Sequence, residues 1–446
     1  MYCRFEDRLA GQALELVGFR RRIDARTPQE LPAALAAVET ARRDGHWVAL
    51  MLDFELGEWL LPEVVANQAQ AQAQADGQPS RADTPGRSAI GRAAGRSGAG
   101  GVQAMAAMTG ANRAIAPDSQ DDRPACAEAT SASAGGAACG PGTKPGPSRP
   151  RPRLRALVFD GVVRGQPWPT PADAGSRITD VRPRTPHAEY LAQVDAIRAG
   201  IGRGDYYQVN YTQPVDLRVQ GDPRELYARI AAANPVAHAA YIEDGTQSIL
   251  SFSPELFVAR HGATLTARPM KGTAPRDPDP ERDEALGRDL HASAKNRAEN
   301  LMIVDLLRND LGRLAEPGSV KVDALFTLER YPTVWTMTST ISAQAPHAAL
   351  GDVLAALFPC GSVTGAPKIA AMRQIRRAET APRGLYCGSI GWLAPDGDFS
   401  LNVAIRTLVL DADGHGVYGA GGGIVFDSEP EAEWQECLWK ARILAH

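Results

Sequence analysis

The sequence predicts an α+β fold in which antiparallel sheets are flanked by helices and interrupted by a long disordered insert. Strand-like segments follow one another in runs instead of alternating strictly with helices, which favours antiparallel over doubly wound parallel sheets. Amphipathic segments of helical length separate these runs. One long stretch contains no aromatic residue and no leucine, so it cannot bury enough apolar surface to fold.

Composition excludes several classes of function. The 446 residues are 44% hydrophobic and carry a formal net charge of −4, which argues against a general nucleic-acid or membrane-surface role. No apolar run approaches the ~20 residues that span a bilayer. Six cysteines without CxxC spacing, and an N-terminus unlike a secretory signal, predict reduced thiols and a cytoplasmic location.

The pattern divides the chain into three parts. Residues 1–66 are predicted to be the N-terminal part of the fold. Residues 67–152 form the low-complexity insert, and residues 153–446 form the main catalytic part.

The elements of the folded parts follow from periodicity and turn residues. LPAALAAVETARR predicts an amphipathic helix that ends at the Asp44-Gly45 turn, before an apolar strand. After the insert, the expected order is a strand, a helix, a strand, a helix that ends before Pro235, and a meander of strands with turns at Asp244-Gly245 and His261-Gly262. Two further helices are predicted in AENLMIVDLLRNDLGRLA and EAEWQECLWKARILAH.

Lys271 lies in the proline-punctuated segment ARPMKGTAPR, which fits neither a helix interior nor a long strand. Lysine and arginine together number 48, and only six of them are lysine. A retained lysine is informative because, unlike arginine, it can lose its proton and act as a nucleophile or base. The alternative is a solvated lysine in a surface loop.

Acidic side chains supply further candidates. Glu255 in SFSPELF has apolar neighbours that would raise its pKa and suit a general acid, although a strand-end carboxylate facing water fits the same pattern. Glu299 is expected in the first turn of a buried helix, where the helix dipole alone favours a carboxylate. Asp305 and Asp310 are expected to form structural ion pairs with Arg308 or Arg313.

The last helix places Glu433, Glu436 and Lys440 on one face, opposite an apolar face. Any surface helix shows such a polar stripe. The two carboxylates could instead meet Glu299 around Mg²⁺, a hard ion held by few carboxylates plus water and substrate oxygens.

Two glycine-rich segments do not match nucleotide-binding motifs. GSVTGAPK lacks the lysine position of a phosphate loop, and GAGGGIVFDS leads into a strand-like run instead of a helix. Consecutive glycines do present backbone N–H groups to an anion. A carboxylate-bearing metabolite fits them better than a nucleotide.

Eight motifs in a fixed order resemble the chorismate-utilising enzymes, densely over about residues 180 to 446 and loosely over the first 66. They are SFSPELF, RPMKGTAPR, AENLMIVDLLRNDLGR, FPCGSVTGAPK, LYCGSIGWL, AIRTLVL, GAGGGIVFDS and EAEWQEC. The resemblance implies the fold of that family.

Within the family, the lysine at position 271 is typical of component I of the aminodeoxychorismate synthases, where anthranilate, isochorismate and salicylate synthases typically have alanine. The resemblance implies that this lysine adds covalently to C2 of chorismate as the C4 hydroxyl departs. Ammonia then enters at C4 and expels the lysine, which yields 4-amino-4-deoxychorismate, the precursor of 4-aminobenzoate for folate.

The resemblance also implies the other roles at the site. Glu255 protonates the departing hydroxyl. Glu299 and Glu436 bind Mg²⁺ directly and Glu433 binds it through water. The substrate contacts it implies are Gly272, Thr273, Tyr386, Arg406, Gly421, Gly422, Gly423 and Lys440, with Tyr386 and Arg406 on the enolpyruvyl carboxylate.

Three features depart from relatives. Thr336 stands where anthranilate synthases often have a histidine, and Asn296 stands where relatives often have an acidic residue near the metal. No counterpart of the tryptophan-sensing segment is found, so inhibition by tryptophan is not expected.

The sequence shows no glutaminase segment with a nucleophilic cysteine, so the resemblance implies a separate glutamine amidotransferase that supplies ammonia. Two alternatives remain open. In the first, the chain is a different member of the class, anthranilate synthase component I. In the second, it is a non-catalytic paralogue that binds chorismate without turnover.

Overall fold

The computed structural model describes residues 1–66, 150–171, 175–332 and 334–445. The predicted insert, residues 67–152, lies outside these ranges except for its last three residues, so its disorder stays a prediction. The described residues on either side of it, from Met1 to Ala66 and from Pro150 onward, belong to one compact unit.

Eighteen strands lie in the described ranges. Their bounds are β1 Tyr2–Asp7, β2 Gln12–Ala25, β3 Trp47–Leu52, β4 Leu154–Gly165, β5 Arg177–Pro183, β6 Gln208–Gln220, β7 His238–Glu243, β8 Gln247–Ser253, β9 Leu256–His261, β10 Thr264–Arg268, β11 Met270–Pro275, β12 Lys321–Arg330, β13 Val334–Gln344, β14 Gly365–Ala366, β15 Ser389–Leu393, β16 Phe399–Val403, β17 Thr407–Asp411 and β18 His415–Ile424.

Every strand pair in these ranges is antiparallel, as predicted. The pairing runs in the order β5-β6-β18-β17-β8-β7-β1-β2-β4-β3-β15-β16-β9-β10-β13-β12, with β11 beside β13 and β14 beside the start of β6. The N-terminal strands therefore lie inside this order, between β7 and β15. The predicted meander forms β7 to β10.

Nine α-helices accompany the strands in the described ranges. They are α1 Leu31–Arg43, α2 Gly57–Leu60, α3 His187–Gly202, α4 Pro223–Ala233, α5 Pro280–Ala292, α6 Ala294–Gly312, α7 Leu350–Leu357, α8 Lys368–Ala378 and α9 Pro430–Lys440. The predicted helices α1, α3, α4, α6 and α9 are present, and the last turn of the sequence prediction is a 3-10 helix, Ala441–Ala445. None of the helices described is both long and apolar enough to cross a membrane.

Helix α6 begins earlier than predicted and is less buried. Ser293 caps its N-terminus by accepting a hydrogen bond from the Asn296 N–H, so Glu299 lies in the second turn and not in the first. Leu301 is 43% exposed, which shows that the apolar residues do not all face the core. The buried face carries Ile303, Val304 and Leu307 instead.

Aromatic packing fixes helix α9 against the sheet and α3. The Trp434 ring packs edge-on against Tyr190 of α3, with ring centroids 5.2 Å apart. The Tyr190 hydroxyl also lies 3.1 Å from Cys437 Sγ, and the Tyr190 ring packs at a tilt against Tyr211 of β6, with ring centroids 4.9 Å apart. The burial of Trp434 and Cys437 sets the rotation of α9 about its axis. This packing therefore fixes where the face with Glu433 and Glu436 points, without a contribution from the carboxylates themselves.

Candidate active site

Lys271 projects from a β-bulge in β11. Met270 pairs with Thr338 and Thr273 pairs with Thr336, so two residues of β11 oppose one of β13, the arrangement that defines a bulge. The Lys271 side chain is mostly buried. Burial lowers the pKa of its ammonium, while the charges of Glu299 and Glu255 act in the opposite direction. The solvated-loop alternative for this lysine is therefore wrong.

Glu255 lies between β8 and β9 and is only 3% exposed, so the alternative of a strand-end carboxylate facing water is also wrong. Burial raises its pKa to about 7, although the Ser362 hydroxyl and the charge of Lys271 act to lower it. The Met270 N–H donates to Glu255 Oε1 at 3.4 Å. A carboxyl group half-protonated near neutral pH has the acidity that general acid catalysis needs.

Strand β18 carries alternating glycines whose missing side chains keep the site open. A Cβ atom at Gly419 would overlap the Tyr386 ring, and one at Gly421 would overlap the backbone of Tyr211. At Gly423 it would overlap Gln208 and lie 3.3 Å from Lys271 Nζ. The Tyr386 ring beside Gly419 and Lys271 beside Gly423 therefore lie along the same face of β18.

Gly422 faces the opposite way, toward α9. A Cβ atom there would lie 2.9 Å from Glu433 Oε2 and 3.8 Å from Glu436 Oε1. The structure thus brings both predicted carboxylates to one glycine, as the helical spacing indicated.

Lys440 connects α9 to the same strand. Its Nζ donates to the Gly421 carbonyl at 2.7 Å and lies 2.6 Å from Glu436 Oε1. Burial alone would raise the pKa of Glu436, but the charge and hydrogen bond of Lys440, with the charges of Lys271 and Lys295, lower it overall. Burial raises the pKa of Glu433, which also accepts a hydrogen bond from Ser428 Oγ at 2.6 Å.

Arg406 is a mostly buried cation that is suited to binding an anion. It adopts a left-handed backbone conformation with φ of 50°, and burial lowers the pKa of its guanidinium, which is near Tyr418 and Tyr331. Within the described ranges its side chain has no hydrogen bond or ion pair. A guanidinium that is desolvated and unpaired can hold a carboxylate by two parallel hydrogen bonds.

The three carboxylates predicted to hold Mg²⁺ do not form a metal cluster in this structure. Across residues 1–66, 150–171, 175–332 and 334–445, no three His, Cys, Asp or Glu side chains are close enough together to hold a metal. The oxygen donors nevertheless fit a hard cation, because Glu433 and Glu436 both lie beside Gly422. Burial and the negative charge of Glu436 raise the pKa of Glu433, and a bound cation would relieve this repulsion. The charge of Glu299 acts on Lys271 and raises the pKa of its ammonium, against the effect of burial.

The predicted ion pairs on α6 are half right. Asp305 pairs with Arg308 at 2.9 Å on the surface. Asp310, however, pairs with Lys368 at 2.8 Å and not with Arg313. Both side chains of that pair are almost fully buried.

Three neighbours of the site were not predicted. Ser362 interacts with the Glu255 carboxyl, and the motif that contains it, FPCGSVTGAPK, is the sequence signal for its place near the site. Gln208 is 1% exposed and adjoins Gly423, and its Oε1 has no hydrogen-bond partner among the described residues. Lys295 acts on Glu433 and Glu436, and the scarcity of lysine was a signal for it.

A separate cavity of about 730 Å³ lies apart from these residues. It is lined by the strands around Trp47, His238 and Trp392 and includes none of the predicted site residues. The chemistry-bearing side chains are therefore not gathered in it.

Comparison with known proteins agrees with this architecture. Residues 136–446 match the family model described as chorismate binding enzyme. The aminodeoxychorismate synthase component 1 of Klebsiella aerogenes is 44% identical over 259 residues, which are 58% of this chain and 57% of that protein. The anthranilate synthase component 1 of Streptomyces coelicolor is 40% identical over 296 residues, 65% of this chain and 57% of that protein.

A solved structure agrees as well. Anthranilate synthase component I from Streptococcus pneumoniae superposes with a TM-score of 0.61 at 30% identity, covering 68% of this chain and 76% of that chain. This confirms the predicted fold. The chain spans 57% of the length of the two curated relatives. With the family model matched over more than half of its residues, the chain belongs to the family of chorismate-binding enzymes.

Proposed function

We propose that this protein aminates chorismate to 4-amino-4-deoxychorismate, as component I of an aminodeoxychorismate synthase. One observation carries the proposal: a mostly buried lysine with a lowered pKa, Lys271, shares a site with a buried carboxylic acid, Glu255, whose pKa is about 7. The first can supply an uncharged amine and the second can supply a proton to a departing hydroxyl.

In the proposed reaction, Lys271 Nζ forms a bond to C2 of chorismate while the ring double bonds shift and the C4–O bond breaks. Glu255 gives its proton to the departing hydroxyl, which leaves as water, and the resulting carboxylate accepts the surplus proton from the new C2–N centre. Ammonia then attacks C4 while Glu255 returns its proton to the Lys271 nitrogen, and the reverse shift of the double bonds expels Lys271 as a neutral amine. The Glu255 carboxylate accepts the surplus proton from the new C4–N centre. Arginine could not replace the lysine, because its guanidinium stays protonated.

Substrate binding is assigned to the surroundings of β18. Arg406 and Tyr386 would hold the enolpyruvyl carboxylate. The backbone of Gly272 and Gly421, with the Thr273 hydroxyl and Lys440, would contact the rest of the substrate. Gly423 and Gly422 leave room on the two faces of the strand, toward Lys271 and toward α9.

We also propose Mg²⁺ as the cofactor, held by Glu299 and Glu436 directly and by Glu433 through water. When bound, it would neutralise the ring carboxylate of chorismate. The oxygen donors of Glu433 and Glu436, gathered at Gly422, support a hard cation at this position.

A partner is proposed as well. Several relatives are named component 1, which supports a second component, and we propose a glutamine amidotransferase that delivers ammonia. We further infer a cytoplasmic location, which the four described cysteines support because all four are buried free thiols.

Product identity tests the proposal. The protein is incubated with chorismate, ammonium and Mg²⁺, and the mixture is divided before a 4-amino-4-deoxychorismate lyase is added to one half. We expect 4-aminobenzoate only in the half with lyase. Anthranilate in both halves would overturn the assignment.

Anthranilate synthesis is the second candidate function, because the Streptomyces coelicolor relative carries that name at 40% identity. A non-catalytic paralogue is the third, and it would consume no chorismate in either half. The presence of Glu255, Glu299 and Glu436 together argues against loss of catalysis.

A further inference from the structure

Thr336 contacts the bulge that carries Lys271. Its Oγ1 donates a hydrogen bond to the Gly272 carbonyl at 3.1 Å, and the residue is fully buried. The contact joins β13 to the Gly272–Thr273 peptide, one residue past Lys271.

The bulge needs such an external contact. Gly272 has φ of 88°, a conformation that glycine adopts without penalty but does not enforce. In addition, the ladder is interrupted between Met270 and Thr273. Ladder pairing therefore does not fix the carbonyl of Gly272, and the hydroxyl of Thr336 is its hydrogen-bond donor.

The opposite side of the bulge is closed by α6. A Cβ atom at Gly272 would lie 3.2 Å from Asn296 Cβ, which is tighter than ordinary contact. Asn296 is itself held, because its Nδ2 donates to Ser293 Oγ at 3.0 Å. Gly272 is thus limited by Asn296 and bonded through its carbonyl to Thr336.

We propose that Thr336 is a positioning residue, whose hydroxyl holds the bulge so that Lys271 Nζ points at Gly423 and at the substrate carbon. This rests on the proposed function of Lys271 as a nucleophile. Thr336 acts through the backbone and touches no reacting atom. A small change in the bulge moves Nζ by a large amount, because the lysine side chain extends from it as a long lever, and misplacement of a reacting atom by about 1 Å costs on the order of 100-fold in rate.

The test compares the wild-type protein with Thr336→Val, which removes the hydroxyl but keeps the shape, and Thr336→Ser, which keeps the hydroxyl. Each is mixed with chorismate and Mg²⁺ without ammonia. The rate of appearance of the chorismate-derived adduct on Lys271 is then measured by quenched-flow mass spectrometry with peptide mapping. We expect the rate to fall about tenfold or more in Thr336→Val and to stay within about twofold of wild type in Thr336→Ser.

Thr338→Val is the matched control. Thr338 is buried on the same strand, but its Oγ1 has no hydrogen-bond partner among the described residues. The identical chemical change there should leave the adduct rate within about twofold of wild type. Chorismate affinity, measured by calorimetry, should be unchanged in all three variants, because the proposal concerns the reaction rate and not binding.

The outcomes separate the two levels of inference. Absence of the adduct in the wild-type protein, together with absence of aminodeoxychorismate when ammonium is supplied in a parallel reaction, would overturn the proposed function. A wild-type adduct that forms equally fast in Thr336→Val would overturn the positioning role alone. Should Thr336→Val fail to fold, as judged by circular dichroism, Thr336→Ser decides, since a loss of more than about tenfold despite the retained hydroxyl would contradict the proposal.

Discussion

Lys440 and Glu436 form an ion pair across one turn of α9, with 2.6 Å between Nζ and Oε1. The same ammonium donates to the Gly421 carbonyl, so it fixes the helix to the glycine-rich strand. Because its charge lowers the pKa of Glu436, the carboxylate stays anionic and available to a cation at neutral pH.

Removal of this carboxylate should weaken Mg²⁺ binding. Glu436→Gln and Glu299→Gln each remove one negative charge from the proposed metal ligands. We expect the Kd for Mg²⁺, measured by isothermal titration calorimetry, to rise at least about tenfold in both, in line with the loss of a charged ligand.

Asp305→Asn is the control for that experiment, because Asp305 lies on the same helix as Glu299 but is exposed and paired with Arg308. Its Kd for Mg²⁺ should equal that of the wild-type protein. Equal affinity in Glu436→Gln would contradict the metal assignment.

Replacement of Lys271 should block the reaction at its first bond. Lys271→Ala has no amine and Lys271→Arg has no neutral amine at accessible pH, so we expect aminodeoxychorismate formation to fall by more than about 1,000-fold in both. The lyase-coupled assay for 4-aminobenzoate measures this. Lys321→Ala, at the exposed start of β12, should retain wild-type activity, and undiminished product from Lys271→Ala would refute the covalent route.

Glu255 should impose a pH limit on the reaction. Its pKa is about 7, and a general acid acts only while protonated, so its contribution is present below pH 7 and is lost above it. Both proteins share the titration of Lys271, so dividing the single-turnover adduct rate of wild type by that of Glu255→Gln isolates the contribution of Glu255. We expect this ratio to show a limb that declines tenfold per pH unit above about 7. In Glu255→Gln the contribution of Glu255 should vanish and the rate should drop by about 100-fold or more.

The same group should make the stability of the folded protein depend on pH. The folded-state pKa is raised above the unfolded value of 4.5, so the folded state loses relative stability as pH rises from 4.5 through 7. Glu255→Gln should therefore gain up to about 3 kcal/mol over wild type between pH 5 and 8, measured by urea unfolding. A pH-independent difference would show that the carboxyl does not titrate in this range.

Asp310 and Lys368 should contribute to stability as a pair. Both side chains are almost fully buried, 2.8 Å apart, and Lys368 also donates to the Leu357 carbonyl at 3.0 Å. Lys368→Met leaves a buried carboxylate without its partner, so we expect a loss of about 3 kcal/mol in the apparent free energy of unfolding. The double variant with Asp310→Leu should recover most of that loss.

The exposed pair on the same helix is the comparison. Arg308→Ala should change the unfolding free energy by less than about 1 kcal/mol, because solvent screens an exposed ion pair. If Lys368→Met cost no more than Arg308→Ala, the burial of the Asp310 pair would have no energetic consequence.

Local signals were sufficient for many elements. Helix α4 begins with Pro223, is capped by Asp222, and ends before Pro235, each a signal that acts within a few residues. The hairpin turn at Gly245 was predicted by its residue type and has a positive φ. The order of motifs was likewise sufficient to identify the family, and the i, i+3 spacing brought Glu433 and Glu436 to one face.

Burial and partner choice followed from contacts that the sequence pattern did not contain. Glu255 had two equally valid environments until packing between β8 and β9 buried it. Asp310 had arginines one turn away, yet its partner Lys368 lies 58 residues further along the chain. Helical spacing indicates which side chains within one helix lie close enough to pair. It gives no information about side chains on a different helix or strand.

By itself the sequence determined the family, from the order of its motifs, and many of the helices and strands, because residue type, capping and periodicity act over a few residues. Only the tertiary structure decided that Gly423 faces Lys271 while Gly422 faces Glu433, and that Thr336 bonds the Gly272 carbonyl. The physical reason is that a strand's two faces and the register of a bulge are set by the neighbouring strand and the packed helix. Neither partner is close in sequence to the residues it positions.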